Sequence, residues 1–258
     1  MQPFLGARTL DDLNRLAAGL RTESGKPLQF APPGPDDPYY EIGVHETGRV
    51  STRPENLHDW FNALAWLAFP RAKARINALH ADELRRSLPH AQGRRGPLRD
   101  LLTIFDEGGA IVACDDAALV ELVRGFRWRE LFWERRERVL ASMRVRVLGH
   151  AVLEQALEPW PGVTCKVMFI AGDDPDEAAA AWLEGLPRQA TPKLLAPLPI
   201  FGYPGWFPGN DCESFYEDER YFRPFRRDKI DAGVGQAAAA RNSARAEESP
   251  GSTERDAG

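Results

Sequence analysis

Cysteine is scarce in this chain of 258 residues: only Cys114, Cys165 and Cys212 occur. Three is an odd number, and no C-x-x-C spacing joins any two of them, so neither a disulfide scaffold nor a cysteine-ligated zinc module is written into the sequence. The start, MQPFLGARTLDDLNRL, lacks the basic stretch and long apolar run of a secretory signal, which makes a reducing cytoplasm the expected setting. Long hydrophobic segments are missing too. The apolar run Trp60–Pro70 has 11 residues, well short of the roughly 20 that cross a bilayer, so no membrane span is expected. A phosphate-binding loop, G-x-S-x-G, H-E-x-x-H and the dinucleotide glycine fingerprint are all absent, which removes the best-defined nucleotide, serine-hydrolase and metalloprotease readings. No internal repeat and no nucleic-acid signature is present.

Charge is present but unevenly spread. The net value is −5; residues 71–146 carry 16 Lys+Arg against 11 Asp+Glu, and residues 147–230 carry 8 against 13. A basic half could steer an acidic partner, although helices with arginine on the solvent face give the same excess.

Hydrophobic content of 43% is enough for one substantial core. Thr9-Leu10-Asp11-Asp12 predicts a capping box opening a short helix that ends near Gly25. The alternation in Tyr40–His45 and Arg49–Thr52 predicts a β-hairpin, and Leu101–Phe105 with Ala110–Cys114 predicts a second one turning at Asp106-Glu107-Gly108-Gly109. Asp115 and Asp116 should cap a helix to about Arg124, followed by another from about Trp128 to Leu140. Arg144–Leu148, His150–Leu157, Val163–Ala171 and Pro175–Leu186 then read as strand, helix, strand and helix, a small β-α-β element. An Arg-rich turn is expected over Gly93–Gly96, and residues 191–210, rich in Pro, Gly and aromatics, predict a packed covering loop pinned by Phe201, Tyr203, Trp206 and Phe207. The expected architecture is α+β, with a helical hairpin, two β-hairpins and a small β-α-β element in one domain over 1–230. Residues 231–258 hold no aromatic residue and should form a disordered tail.

The segment Glu55–His80 is the most informative. It sets His58, Asp59, Asn62, Asn77 and His80 among side chains that are otherwise mostly apolar, and buried imidazoles or amides need a partner. Pro70 should break the helix and start a second one running to about His80. With His58 12 residues before Pro70 and His80 10 after it, an antiparallel hairpin sets the two rings almost level, offset by about 3 Å at ~1.5 Å per residue. In one straight helix they would stand about 33 Å apart. Joined by Asp59, Asp106, Glu107 or His150, His58 and His80 would make a nitrogen and oxygen ligand set for a divalent metal such as zinc, iron or manganese. The same residues also read as structure: Asn56 and Asp59 as a capping pair, His80 at a helix end, Asn62 and Asn77 bridging the hairpin. His150 opens a helix after a strand, where α/β sheets tend to place ligand-binding groups, or it is a plain strand-to-helix turn.

Taken in order, ENLHDWFNALAWLAFP, NALH, FDEGGA, LFWERR, GHAVLE and PLPIFGYPGW resemble a bacterial family, domain of unknown function 3025, over about Tyr39–Pro224, with most specificity in HDWFNAL and GYPGW. The resemblance implies a bacterial cytoplasmic setting and brings no activity, cofactor or catalytic residue. Two functions are therefore carried forward. One is a metal-assisted or acid/base hydrolase using His58, Asp59, His80 and His150, with Asn62, Asn77 and Asp106 in binding roles. The other is a non-enzymatic binding or scaffold protein that presents the loop around Trp206.

Overall fold

The structure, a computed structural model, describes residues 9–35, 39–87, 96–172 and 174–224. The expected tail at 231–258 and most of the Gly93–Gly96 turn lie outside these residues. The fold is α+β, as the sequence predicts, and the compact unit ends at Arg223. Among the described residues no helix is long and apolar enough to cross a membrane.

The N-terminal part holds helix α1 (Leu10–Leu16), strand β1 (Gln29–Ala31), helix α2 (Tyr40–Thr47) and strand β2 (Arg49–Ser51). Thr9 and Asp12 form the expected capping box, but α1 stops at Leu16, well before Gly25. The first predicted hairpin does not form. Tyr40–Thr47 is a helix, and β2 pairs in parallel with β1, Phe30 opposite Val50. The alternation of Tyr40, Ile42 and Val44 mimics a strand, but Gly48 supplies the left-handed cap that closes a helix: its φ is +78° and its N–H donates to the Val44 carbonyl at 2.8 Å. Gly48 is doubly required, because a Cβ there would sit 2.0 Å from the Pro27 carbonyl oxygen.

Helix α3 (Leu57–Ala68) and helix α4 (Pro70–Ser87) are divided at Phe69, as Pro70 predicts, with α4 running past His80 to Ser87. The chain turns sharply here, since Lys73 reaches Asn62 across what would be about 16 Å of straight helix. The first free amides of α4 are taken from far away in sequence: Arg71 and Ala72 N–H donate to the Asp176 carboxylate at 3.0 and 2.8 Å.

The second predicted hairpin is also replaced. Leu101–Phe105 lies within helix α5 (Pro97–Gly108), which passes directly into strand β3 (Gly109–Cys114). Leu98, Leu101, Leu102 and Phe105 recur at helical spacing and are all buried, and burial of each stabilises by roughly 1.5–3 kcal/mol. Asp106 therefore stands in the last turn of a helix, not at a hairpin tip. Helix α6 (Ala117–Arg124) is capped by Asp116; a π-helical turn (Glu130–Glu134) leads into helix α7 (Arg136–Ser142).

Strand β4 (Met143–Val147), helix α8 (His150–Gln155), strand β5 (Thr164–Ile170) and helix α9 (Pro175–Glu184) follow in the predicted order, with strand β6 (Ala196–Pro199) inside the Pro-rich segment. The sheet order is β4-β3-β5-β6; β3 and β5 are parallel, whereas β4 and β6 are antiparallel to their neighbours. In the strand-helix-strand run, β4 and β5 thus lie on opposite sides of β3. Ile111, Met168 and Ile170 face a core with α4, α5 and α9. Ala110, Val112, Cys165 and Val167 face a second core with α6, α7 and the aromatics Phe201, Tyr203, Tyr216 and Phe222. Burial on both faces explains why β3 reads as an unbroken apolar run. The Gly48→Ala variant should lose about 1–3 kcal/mol of stability, from positive φ combined with the Pro27 contact, measured by urea denaturation.

Candidate functional site

Five helices bring their polar side chains to one place. Only Leu148 and Gly149 separate β4 from α8, and Gly149 makes the tight turn possible: its N–H donates to the Gly109 carbonyl at 2.8 Å, and a Cβ on it would lie 2.5 Å from the Glu107 carbonyl oxygen. The start of α8 is thereby held against the end of α5, and His150 faces Asp106, Nδ1 to Oδ2 at 3.8 Å. On the other side of the ring, His150 Nε2 meets His58 Nε2 at 3.0 Å, with the ring planes at 74°. His58 Nδ1 in turn meets Glu154 Oε2 at 3.0 Å. Glu154 lies one helical turn after His150, on the same face of α8. The outcome is a chain, Asp106–His150–His58–Glu154. Its inner end is buried, while the side chains of His58 and Glu154 are each 41% exposed.

Behind Asp106 stands Lys73 of α4, 3% exposed, which donates to the Asp106 carboxylate and, at 2.8 Å, to Asn62 Oδ1. Its ammonium also lies 5.6 Å from the centre of the Trp66 ring. Asn62 passes its own amide hydrogen to the Tyr40 hydroxyl at 2.9 Å. Asn77 donates to both the backbone carbonyl (2.9 Å) and the carboxylate (2.6 Å) of Glu41.

The electrostatics follow from burial. Desolvation alone would raise the Asp106 carboxyl, but the Lys73 ammonium, with smaller contributions from the His150 and His80 imidazoles, outweighs it and holds this group below the usual carboxylate range. Loss of water lowers His150 to about 4, Asp106 opposing and Lys73 reinforcing the shift, so the inner ring is neutral near pH 7. Burial raises Glu41 to about 7, partly offset by the Asn77 hydrogen bond. Two hydrogen-bond contacts, His150 to His58 and His58 to Glu154, link the rings to the outer carboxylate, while Asp106 faces His150 Nδ1 across 3.8 Å.

The predicted residues divide accordingly. His58, His150 and Asp106 meet in this chain, and Asn62 joins it through Lys73. His80 is buried on α4 close enough to act on Asp106, but both nitrogens of His58 are taken by Glu154 and His150, so His58 and His80 do not form the expected pair. Asn77 joins α4 to α2 through Glu41. Asp59 is used elsewhere: its N–H is capped by Asn56 at 2.9 Å, and its carboxylate is gripped by the Arg53 backbone and guanidinium at 2.8–2.9 Å. Trp206 lies apart, on a separate apolar cleft. Among the described residues no group of three or more His, Cys, Asp or Glu is placed to hold a metal ion. Sequence reading missed Lys73, Glu154, Tyr40 and Glu41. Two of these had a usable signal: Lys73, Asn77 and His80 recur at i, i+4, i+7, and Glu154 is four residues after His150.

A family model described as protein of unknown function (DUF3025) matches residues 29–226. This chain is a DUF3025 protein. The matched span of the DUF3025 chain takes in every residue of the polar chain from Tyr40 to Glu154, and Trp206 as well. No curated protein and no solved structure matches it.

Two stability predictions follow for the DUF3025 chain. Lys73→Met strands a buried carboxylate and should cost about 3–5 kcal/mol in urea denaturation, with part of the loss recovered in Lys73→Met/Asp106→Asn. The second concerns pH. Between about 4 and its ordinary 6.5, His150 holds a proton only in the unfolded chain, so its contribution makes stability rise with pH. Between 4.5 and about 7, Glu41 holds a proton only in the folded chain, so its contribution makes stability fall with pH. The two slopes oppose each other. Glu41→Gln should unmask the His150 slope, a gain of up to about 1.4 kcal/mol per pH unit between pH 4.5 and 6.5; a flat profile in that variant contradicts the assignment.

Proposed function

We propose that this chain is a cytoplasmic bacterial hydrolase whose centre works by acid/base chemistry. The observation that carries the reading is the Nε2-to-Nε2 contact of His58 and His150, with a carboxylate facing each Nδ1, one ring half-exposed and the other buried. Such an arrangement orients both imidazoles and gives a proton a defined place to go. Glu154, its half-exposed carboxylate oriented by His58 Nδ1, takes the proton of an attacking water and returns it to the leaving group. His150 and Asp106 hold the inner end of the chain, and Lys73 keeps Asp106 ionised. The acid/base form is favoured over the metal-assisted one because, among the described residues, no three His, Cys, Asp or Glu side chains are placed to share one ion.

A second reading, a non-enzymatic binding protein, draws support from a separate feature, the half-exposed Trp206 on its apolar cleft.

The test is turnover of a panel of chromogenic carboxylic esters, phosphoesters and amides by the full chain. A substrate should be found for which His58→Gln and Glu154→Gln each lower kcat/KM by about 10²–10⁴-fold while the thermal midpoint stays within a few degrees. No turnover across the panel, or turnover indifferent to both variants, would discard the hydrolase. Stoichiometric zinc uptake that raises the thermal midpoint would move the reading to the metal-assisted form.

A further inference from the structure

The backs of α3 and α8 carry a second feature. Leu67, Phe69, Val147, Leu153 and Trp206 enclose a cleft of about 470 Å³, within the size range of small-molecule sites. Its wall is prepared in advance. Asn210, 1% exposed, donates to the Phe201 and Tyr203 carbonyls at 2.9 and 2.7 Å and accepts the Gly205 N–H at 3.1 Å. Gly205, at φ +81°, completes a turn that no side chain adopts cheaply. Trp206 is the next residue, its ring 5.0 Å from that of Tyr203 and its surface 39% exposed. A large aromatic on a loop whose backbone is fixed, yet left part-uncovered, offers a ligand apolar surface at reduced ordering cost.

The cleft also has a sign. Arg146 is the sole charged residue among its described lining residues, and no described carboxylate pairs with it. Its guanidinium leans back on the Val145 carbonyl at 3.2 Å, a long contact that leaves most of its donors available.

We propose that this cleft binds an apolar carboxylate, with the hydrocarbon body against Trp206, Leu153 and Phe69 and the acid group on Arg146. The site shares no residue with the His58–His150 chain and stands whether or not that chain performs hydrolysis. The probes are decanoate and decanol, equal in body and different in head, titrated by calorimetry into the full chain. One decanoate should bind per chain, more tightly than decanol. Arg146→Gln, a surface change, should weaken decanoate by about tenfold and abolish the preference. Leu153→Trp, which fills the cleft, should remove binding of both. Equal affinity for the two probes, no binding of decanoate, or an Arg146→Gln variant that binds decanoate unchanged would overturn the proposal. So would uptake of several molecules per chain that persists in a folded Leu153→Trp.

Discussion

The buried pair of Lys73 and Asp106 governs the centre of this molecule. A lysine 3% exposed and a carboxylate at a helix end cannot stay charged in the interior unless each serves the other. Around that pair everything else falls into place. Asp106 faces the buried, neutral His150, His150 gives His58 an inner neighbour, and Lys73 fixes Asn62, which in turn fixes the Tyr40 hydroxyl. Helices α2, α3, α4, α5 and α8 are thus joined by polar contacts as well as by apolar packing. Networks of this kind specify one arrangement of helices, because a half-satisfied alternative leaves a charge without a partner.

The two faces of α3 and α8 have different jobs. His58, Asn62, His150 and Glu154 lie on the polar side, and Leu67, Val152 and Leu153 on the apolar side. This division is an ordinary consequence of 3.6-residue periodicity. It means that a catalytic candidate and a binding candidate can occupy the same short helices without sharing a side chain.

Much of the local structure was legible in the sequence. The Thr9 and Asp116 caps, the break at Pro70, and the β4-α8-β5-α9 succession all follow from side-chain chemistry acting within a few residues. The two hairpins were not legible, for opposite reasons. Tyr40–Thr47 alternates like a strand, and its helix is decided by the cap at Gly48 and by packing on α4. Leu101–Phe105 is bulky and β-rich when read alone; the helical face is visible only when Leu98 is included. The site was half legible. Polar residues in an apolar segment marked His58, Asn62, Asn77 and His80 as worth attention, and position after a strand marked His150. That His150, not His80, meets His58 depends on a contact between residues 92 apart, which no local pattern encodes.

Two glycines carry an architectural consequence. Gly109 lets α5 run into β3 with the Phe105 carbonyl where a Cβ would be, and Gly149 lets the start of α8 touch that same junction. Main chain, not flexible side chain, therefore sets the spacing between Asp106 and His150. The acid and the ring ride on one joint without slack, so a methyl group at either position would shift the ring as surely as replacing it.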